Sequence, residues 1–417
     1  MKPDQDSEIY QNYGHFISST YPLFLKKYGI KNIARTASGS VIIDSRGKEY
    51  IDCVSGYGLF NIGHNHPQII EDIKDQLDKK QLFTKPLISK IQVKAAQQLA
   101  SLAPDKLECS FLCNSGSEAI DSALKLARLY TGKSEIITAK NSFHGFTYGA
   151  LSASGIESFK KFFKPMVPDI RQAKFGDIQS LKKKITSDTA AILLEPMQHE
   201  SGIDIPDKAY FQKVRNLCTE NNILLILDEI KTGMGKTGRM FACEHFSITP
   251  DILVIGKSLG GGIMPVGAII ALPKIWRKFS LSFPMAASSF AGNILACRAI
   301  LSTIEIIEKD NLISKCQQKG IILITGLKEI ADKYEDLIIN IKGMGLLIGI
   351  RIVNSRIALQ IIKEMIASGI LVFQAYADNE TIMFEPPLVI SNNQIRKIIS
   401  TLDRICQNIE DQKNEKM

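Results

Sequence analysis

Ile223-Leu-Leu-Ile-Leu-Asp228 and Ile252-Leu-Val-Ile-Gly-Lys257 decide the fold of this chain. Each is a short apolar run that stops at a charged residue. Runs of this length, bounded by polar segments, read as buried strands rather than helices. Working outward, Glu135–Ala139, Ala190–Leu194 and Gly267–Ala271 repeat the pattern, with helix-like segments between them. That alternation, from about 67 to 310, predicts an α/β fold: a mostly parallel sheet covered by helices. Residues 1–35 are polar with scattered aromatics and suggest an arm plus a short helix. Gly39 to Asp52 reads as a hairpin, two β-rich runs around a turn at Ser45–Gly47. From 311 the pattern changes to a long helix-like stretch, a strand over Gly343–Val353 and a helix near 356–368. A short strand at Thr381–Phe384 and a final helix near 392–408 complete a smaller α+β lobe. The tail Asp411–Met417 is charged, and fraying is expected there. The expected units are 1–66 (an arm and hairpin belonging to the small lobe), 67–310 (the large domain) and 311–417 (the C-terminal small domain).

The bulk properties narrow the function classes. The chain has 417 residues, 45% hydrophobic and 23% charged, enough to bury a sizeable core. Its net charge is +8, but the lysines are scattered in short groups such as Lys182-Lys-Lys184. No aromatic-interleaved basic stripe argues for nucleic acid. The eight cysteines include no Cys-x-x-Cys pair, which disfavours a metal or disulfide framework and fits a reducing compartment. No apolar stretch reaches the roughly 18 residues of a membrane span, and the polar, acidic start is unlike a signal peptide. A cytoplasmic protein with no membrane partner is the expectation.

Four local features carry chemistry. Phe111-Leu-Cys-Asn-Ser-Gly-Ser-Glu-Ala119 is an apolar run, a tight polar turn and a helix start. Free amides near Gly116 and Ser117 would bind a phosphate there, although a simple capping turn has the same look. In Ser142-Phe-His-Gly145 the ring of Phe143 can stack on a flat cofactor, or merely pack. His144 lacks a partner at metal-ligand spacing, and no metal site is expected. Asp228 and Lys257 complete the set. A carboxylate can keep a pyridine nitrogen protonated, and a partly desolvated lysine can form a Schiff base with the ring's aldehyde. Together these are the requirements of pyridoxal 5′-phosphate (PLP). Gly256-Lys257-Ser258 and Gly235-Lys236-Thr237 end like a nucleotide-hydrolase phosphate loop. The leading glycine that motif needs is replaced by Asp251 in one and Ile230 in the other.

The chain closely resembles the class III aminotransferases of the fold type I PLP enzymes from about residue 40 to 405. The matching stretches are Asn114–Ala119, Phe143–Gly145, Glu195–Gln198, Asp228–Gly238, Pro250–Gly262 and Ser289–Asn293. Within the family, Tyr50–His64, Phe241–His245 and Phe384–Leu388 are most similar to putrescine aminotransferases. The resemblance implies a transaminase acting on small-molecule amine and carbonyl substrates by a ping-pong mechanism. It implies a homodimer with shared active sites. Lys257 would carry the internal aldimine and shuttle the proton between substrate Cα and cofactor C4′. Asp228 would pair with the pyridine nitrogen, Phe143 stack on the ring, and Gly116 and Ser117 bind the phosphate. Ser289, standing where the family usually has threonine, would reach the phosphate of the neighbouring subunit's cofactor. The family also contains racemases and epimerases, which share the first steps, and the motifs around Lys257 do not separate them.

Departures from the family pattern point at the substrate. Lys231 stands where the family usually has the glutamine that touches the cofactor's ring oxygen. His199 interrupts the usual Gln-Gly-Glu, here Gln198-His-Glu200. Phe146 and Met383 occupy positions of carboxylate-binding arginines in ornithine-type members. Neither can grip a carboxylate with two hydrogen bonds. The expectation is an apolar pocket lined by Tyr57, Phe60, Phe146 and Met383, with Glu200 beside it. The alternative is a carboxylate held from another direction by Lys231, Arg351 or another base.

Overall fold

The apolar runs become strands because both of their faces are covered. In the computed structural model, which describes residues 5–79, 87–280 and 288–415, seven strands form one central sheet. Their order is Cys109–Cys113, Gly267–Ala271, Ile252–Ile255, Leu224–Asp228, Thr189–Leu194, Glu135–Ala139, Ile170–Ala173. All run parallel except Gly267–Ala271, which is antiparallel to both neighbours. Every residue of Thr189–Leu194, Leu224–Asp228 and Ile252–Ile255 is buried. Successive side chains point to opposite faces. Leu225, Leu227, Leu253 and Ile255 enter the larger core. Leu224, Ile226, Ile252 and Val254 pack with Ile120, Ala123 and Ala127 of the helix Gly116–Thr131.

Two smaller sheets flank this one. The expected hairpin forms as Val41–Asp44 against Glu49–Asp52, turning through Gly47 at φ 83°. Two further strands join it: Ala34–Ser38 on one side and Ile370–Leu371, from far along the chain, on the other. The second small sheet runs Ile338–Met344, Leu347–Ile352, Thr381–Phe384, Phe373–Gln374. The strand expected over 343–353 is thus a hairpin. Gly345, at φ 57°, turns the chain where the apolar pattern alone looks continuous. The N-terminal segment forms two helices, Gln5–Phe16 and Tyr21–Lys27, rather than an arm and one helix. The last helix, Asn392–Asn414, begins with a capping box at Ser391 and runs through most of the tail expected to fray. Among the described residues, no helix is long and apolar enough to cross a membrane.

Candidate active site

The parallel strands all end on one edge of the central sheet, and open α/β sheets place ligands just beyond that edge. Asp228 is the last residue of its strand, and Lys257 follows the next strand by two residues. The turn 114–117 follows Cys109–Cys113, Phe143 and His144 follow Glu135–Ala139, and Glu195 follows Thr189–Leu194. Gly116, Ser117, Phe143, Asp228, Lys231 and Lys257 therefore line one cavity of about 240 Å³.

Asp228 is held on both oxygens. Its Oδ1 accepts from the amide of Ile230 at 3.0 Å, and its Oδ2 lies 2.7 Å from His144 Nδ1. The His144 side chain is wholly buried. Sequence spacing gives His144 no metal partner; in the fold its ring bonds Asp228 and can orient it. Spacing gives no sign of this, because the two residues lie 84 positions apart. Lys257 is half-buried with φ 45°, in the left-handed region. Burial pulls its ammonium down to about 8, and the charge of Lys231 adds to the effect. The carboxylates of Glu200, Glu385 and Asp228 oppose it. Glu195, near Asp228, is pushed well above the carboxylate range by burial first and by Asp228 second, against a hydrogen bond from the Phe143 amide at 3.2 Å.

At the start of helix Gly116–Thr131, Ser115 caps by accepting the amide of Glu118 at 3.1 Å, and Glu118 returns a bond to the amide of Asn114. The amides of Gly116 and Ser117 belong to the first turn, which no helix satisfies internally, and the helix dipole adds partial positive charge. The turn is tightly packed. A Cβ on Gly116 would come 2.9 Å from Ile230 Cδ1, and one on Gly145 would meet Ser117 Oγ at 2.1 Å. An anion-binding helix start, an aromatic ring, an anchored carboxylate and a desolvated amine facing one cavity fit pyridoxal phosphate. Gly116 and Ser117 would hold its phosphate, Asp228 its ring nitrogen, Phe143 its face and Lys257 its aldehyde carbon.

Lys231, His199 and Glu200 of the cavity lining belong to a buried charge network that the sequence showed only in part. Glu385 is 3% exposed. Its carboxylate accepts from Lys231 Nζ on one oxygen and faces His199 Nε2 with the other. His199 Nδ1 lies 3.0 Å from Glu200 Oε1. Burial pushes both carboxyls up, but their basic neighbours outweigh it and hold both below the usual range, His199 first in each case. Lys236, half of the rejected phosphate-loop pattern, is buried and donates to the carbonyls of Glu385 and Pro386 at 2.8 and 2.7 Å. Lys231 and His199 stood out in the sequence as departures. Their shared partner did not, since a glutamate before two prolines carries no local sign of pairing.

The expected pocket residues divide. Phe146 and Glu200 line the cavity. Phe146 is 64% exposed at its mouth, with ring centroids 5.1 Å from Phe143 and 5.6 Å from Phe159. Met383 does not line it. Alternation along Thr381–Phe384 sends Ile382 and Phe384 into the main core and Met383 into a separate cluster behind Met197. Tyr57 and Phe60 also do not. Their loop turns these rings into an apolar cavity of about 530 Å³ beside the two N-terminal helices, while Gly58 faces Lys231. Tyr57 stays connected to the mouth by stacking on Tyr376 at 5.9 Å. Ser289 is exposed, in the turn before helix Ile294–Lys309, and lines no part of the cavity within its own chain.

The chain matches the family model of the class-III aminotransferases over residues 26–406 and belongs to that family. It is a PLP-dependent transaminase with the fold type I architecture. Among solved structures it is similar to a transaminase from the marine bacterium Virgibacillus, 27% identical over 92% of this chain and 94% of that one, with a TM-score of 0.87. It is also similar to the ornithine aminotransferase of Toxoplasma gondii, 25% identical over 99% and 97%, TM-score 0.91. A further structure of that enzyme shows partial occupancy of PLP at its active site. The acetylornithine aminotransferase of Elizabethkingia anophelis is 26% identical over 94% and 99%, TM-score 0.80.

Proposed function

We propose that this transaminase moves an amino group between amines with an apolar body and a carbonyl acceptor, by a ping-pong mechanism, and does not favour substrates with a second carboxylate. The observation that carries this reading is the engagement of the cations. Lys231 is bound to Glu385, and Arg351 pairs with Glu380 at 3.0 Å on the surface, outside the cavity. Phe146 stands at the mouth, and Phe143, Phe146, Phe159, Tyr376 and Tyr57 form a continuous run of rings beside it. A carboxylate buried against such a wall without a cation would be costly.

When bound, pyridoxal phosphate supplies the carbonyl that takes up the amino group and a ring that withdraws electrons. The chain does the rest. The Gly116 and Ser117 amides bind phosphate, and Phe143 holds the ring flat. His144 fixes Asp228, which keeps the ring nitrogen protonated. Lys257, free as an amine at a lower pH than usual, would be the base that takes up and passes on the proton of substrate Cα. The alternative fate, return of that proton to Cα, would make a racemase. We further propose a homodimer in which Ser289 reaches the partner's cofactor phosphate.

A donor panel tests the reading. Apolar primary amines are expected to bleach the visible absorbance of the loaded enzyme faster than glutamate does. Efficient turnover of glutamate and 2-oxoglutarate with no response to apolar amines would sink it. Racemisation without bleaching would point to the alternative fate.

A further inference from the structure

Glu385 is built into the wall twice over, by its backbone and by its carboxylate. Its carbonyl accepts from Lys236 Nζ at 2.8 Å and from Ser55 Oγ at 2.7 Å, and its amide donates to the carbonyl of Cys53 at 2.8 Å. The turn it occupies therefore has its own anchors. The carboxylate does something else: it spans Lys231 and His199. Lys231 is also confined from behind. A Cβ at Gly58, whose φ is 93°, would lie 3.2 Å from Lys231 Cδ and 3.4 Å from its Nζ. The ammonium is the part of this lysine that Glu385 holds.

We propose that Glu385 is a specificity-determining residue that holds the Lys231 ammonium in an ion pair, so that Lys231 is not offered to a substrate carboxylate. This rests on the apolar-amine reading given above. A lysine is a point charge on a flexible stem and can redirect over a short distance. With its ion-pair partner removed the ammonium loses the carboxylate it is bonded to, and an anion is the ligand that relieves it. The carboxylate of an amino-acid substrate is such an anion. A wall that rejects carboxylates would become one that accepts them through loss of a single negative charge.

The experiment compares the PLP-loaded full chain with Glu385→Gln, Glu385→Ala and the double variant Lys231→Leu/Glu385→Leu. Each is mixed with glutamate or with n-hexylamine, and bleaching is followed in a single half-reaction by stopped flow. The readout is the ratio of the glutamate to the hexylamine rate constant, which does not depend on the fraction of protein that folded. Both single variants are expected to raise this ratio by roughly ten- to a hundredfold, the worth of one hydrogen bond to a charged group. The double variant, with no cation to release, is expected to show no rise. An unchanged ratio in both single variants would overturn the proposal, as would an equal rise in the double variant. The wild-type ratio by itself judges the apolar-amine reading; the change between wild type and variant judges the lock.

Discussion

Replacing Lys231 by methionine should slow the capture of cofactor by Lys257, and the structure fixes the direction. Desolvation at its site brings the Lys257 ammonium from the ordinary 10.5 down to about 8. At pH 7 about one molecule in ten then presents a free amine, against roughly three in ten thousand for an ordinary lysine. The group is a base with a lowered pKa, so the reactive form appears as pH rises through about 8 and is lost below it. Lys231 is the second contributor to that lowering, after burial, and Glu200, Glu385 and Asp228 oppose it. Lys231→Met removes the cation and leaves the three carboxylates, so the midpoint must climb above 8 toward 10.5. Each pH unit of climb leaves about tenfold less free amine at pH 7. The assay mixes cofactor-stripped protein with pyridoxal phosphate from pH 6 upward and follows the growth of visible absorbance. Wild-type rates should rise with pH and level off above about 8. The variant should be slower at pH 7 and still rising where wild type is level. Glu385→Gln, which removes an opposing carboxylate, should move the midpoint the other way. A variant midpoint at or below that of wild type would refute the reasoning.

Two further outcomes follow from the packing. Gly145→Ala places a methyl 2.1 Å from Ser117 Oγ at a φ of 130°. It should cost roughly 1–3 kcal/mol of stability and weaken phosphate binding, read as faster loss of cofactor on dilution. Glu229→Ala strips the acceptor from the amides of Ala242 and Cys243, at 2.9 and 2.7 Å, and from the Thr232 hydroxyl. With three buried donors stranded, a loss of roughly 2–5 kcal/mol is expected in urea unfolding.

Which parts of this site were legible in the sequence depends on how each residue reaches it. Asp228, Lys257, Gly116 and Phe143 lie at or just after apolar runs, and a parallel sheet brings all such positions to one edge. Their meeting follows from strand order, which alternation and motif order both betray. Glu385, His144 and Lys236 act through partners 84 to 186 residues away and leave no periodic mark. Met383 stands away from the cavity because both faces of Thr381–Phe384 are covered, Ile382 and Phe384 by the main core and Met383 by the cluster with Met197. The pocket expectation failed at Tyr57 and Phe60 because their loop carries positive φ at Ser55, Gly56, Tyr57 and Gly58, which redirects its side chains. The hairpin over 338–352 was masked because glycine at 345 interrupts neither composition nor hydrophobicity.

The backbone of Lys257 has a consequence for how this chain is kept in working order. A lysine at φ 45° sits where glycine or asparagine would be at ease. Its amine is also partly withdrawn from water, which disfavours its charged form. The fold would be sturdier with Gly or Asn there, and inert. Conformational stability and chemistry therefore pull this position in opposite directions, as they do at many active sites. Selection for folding alone would erode the lysine, and only demand for its reaction retains it. A descendant relieved of that demand has an immediate route to a more stable, silent protein through one codon.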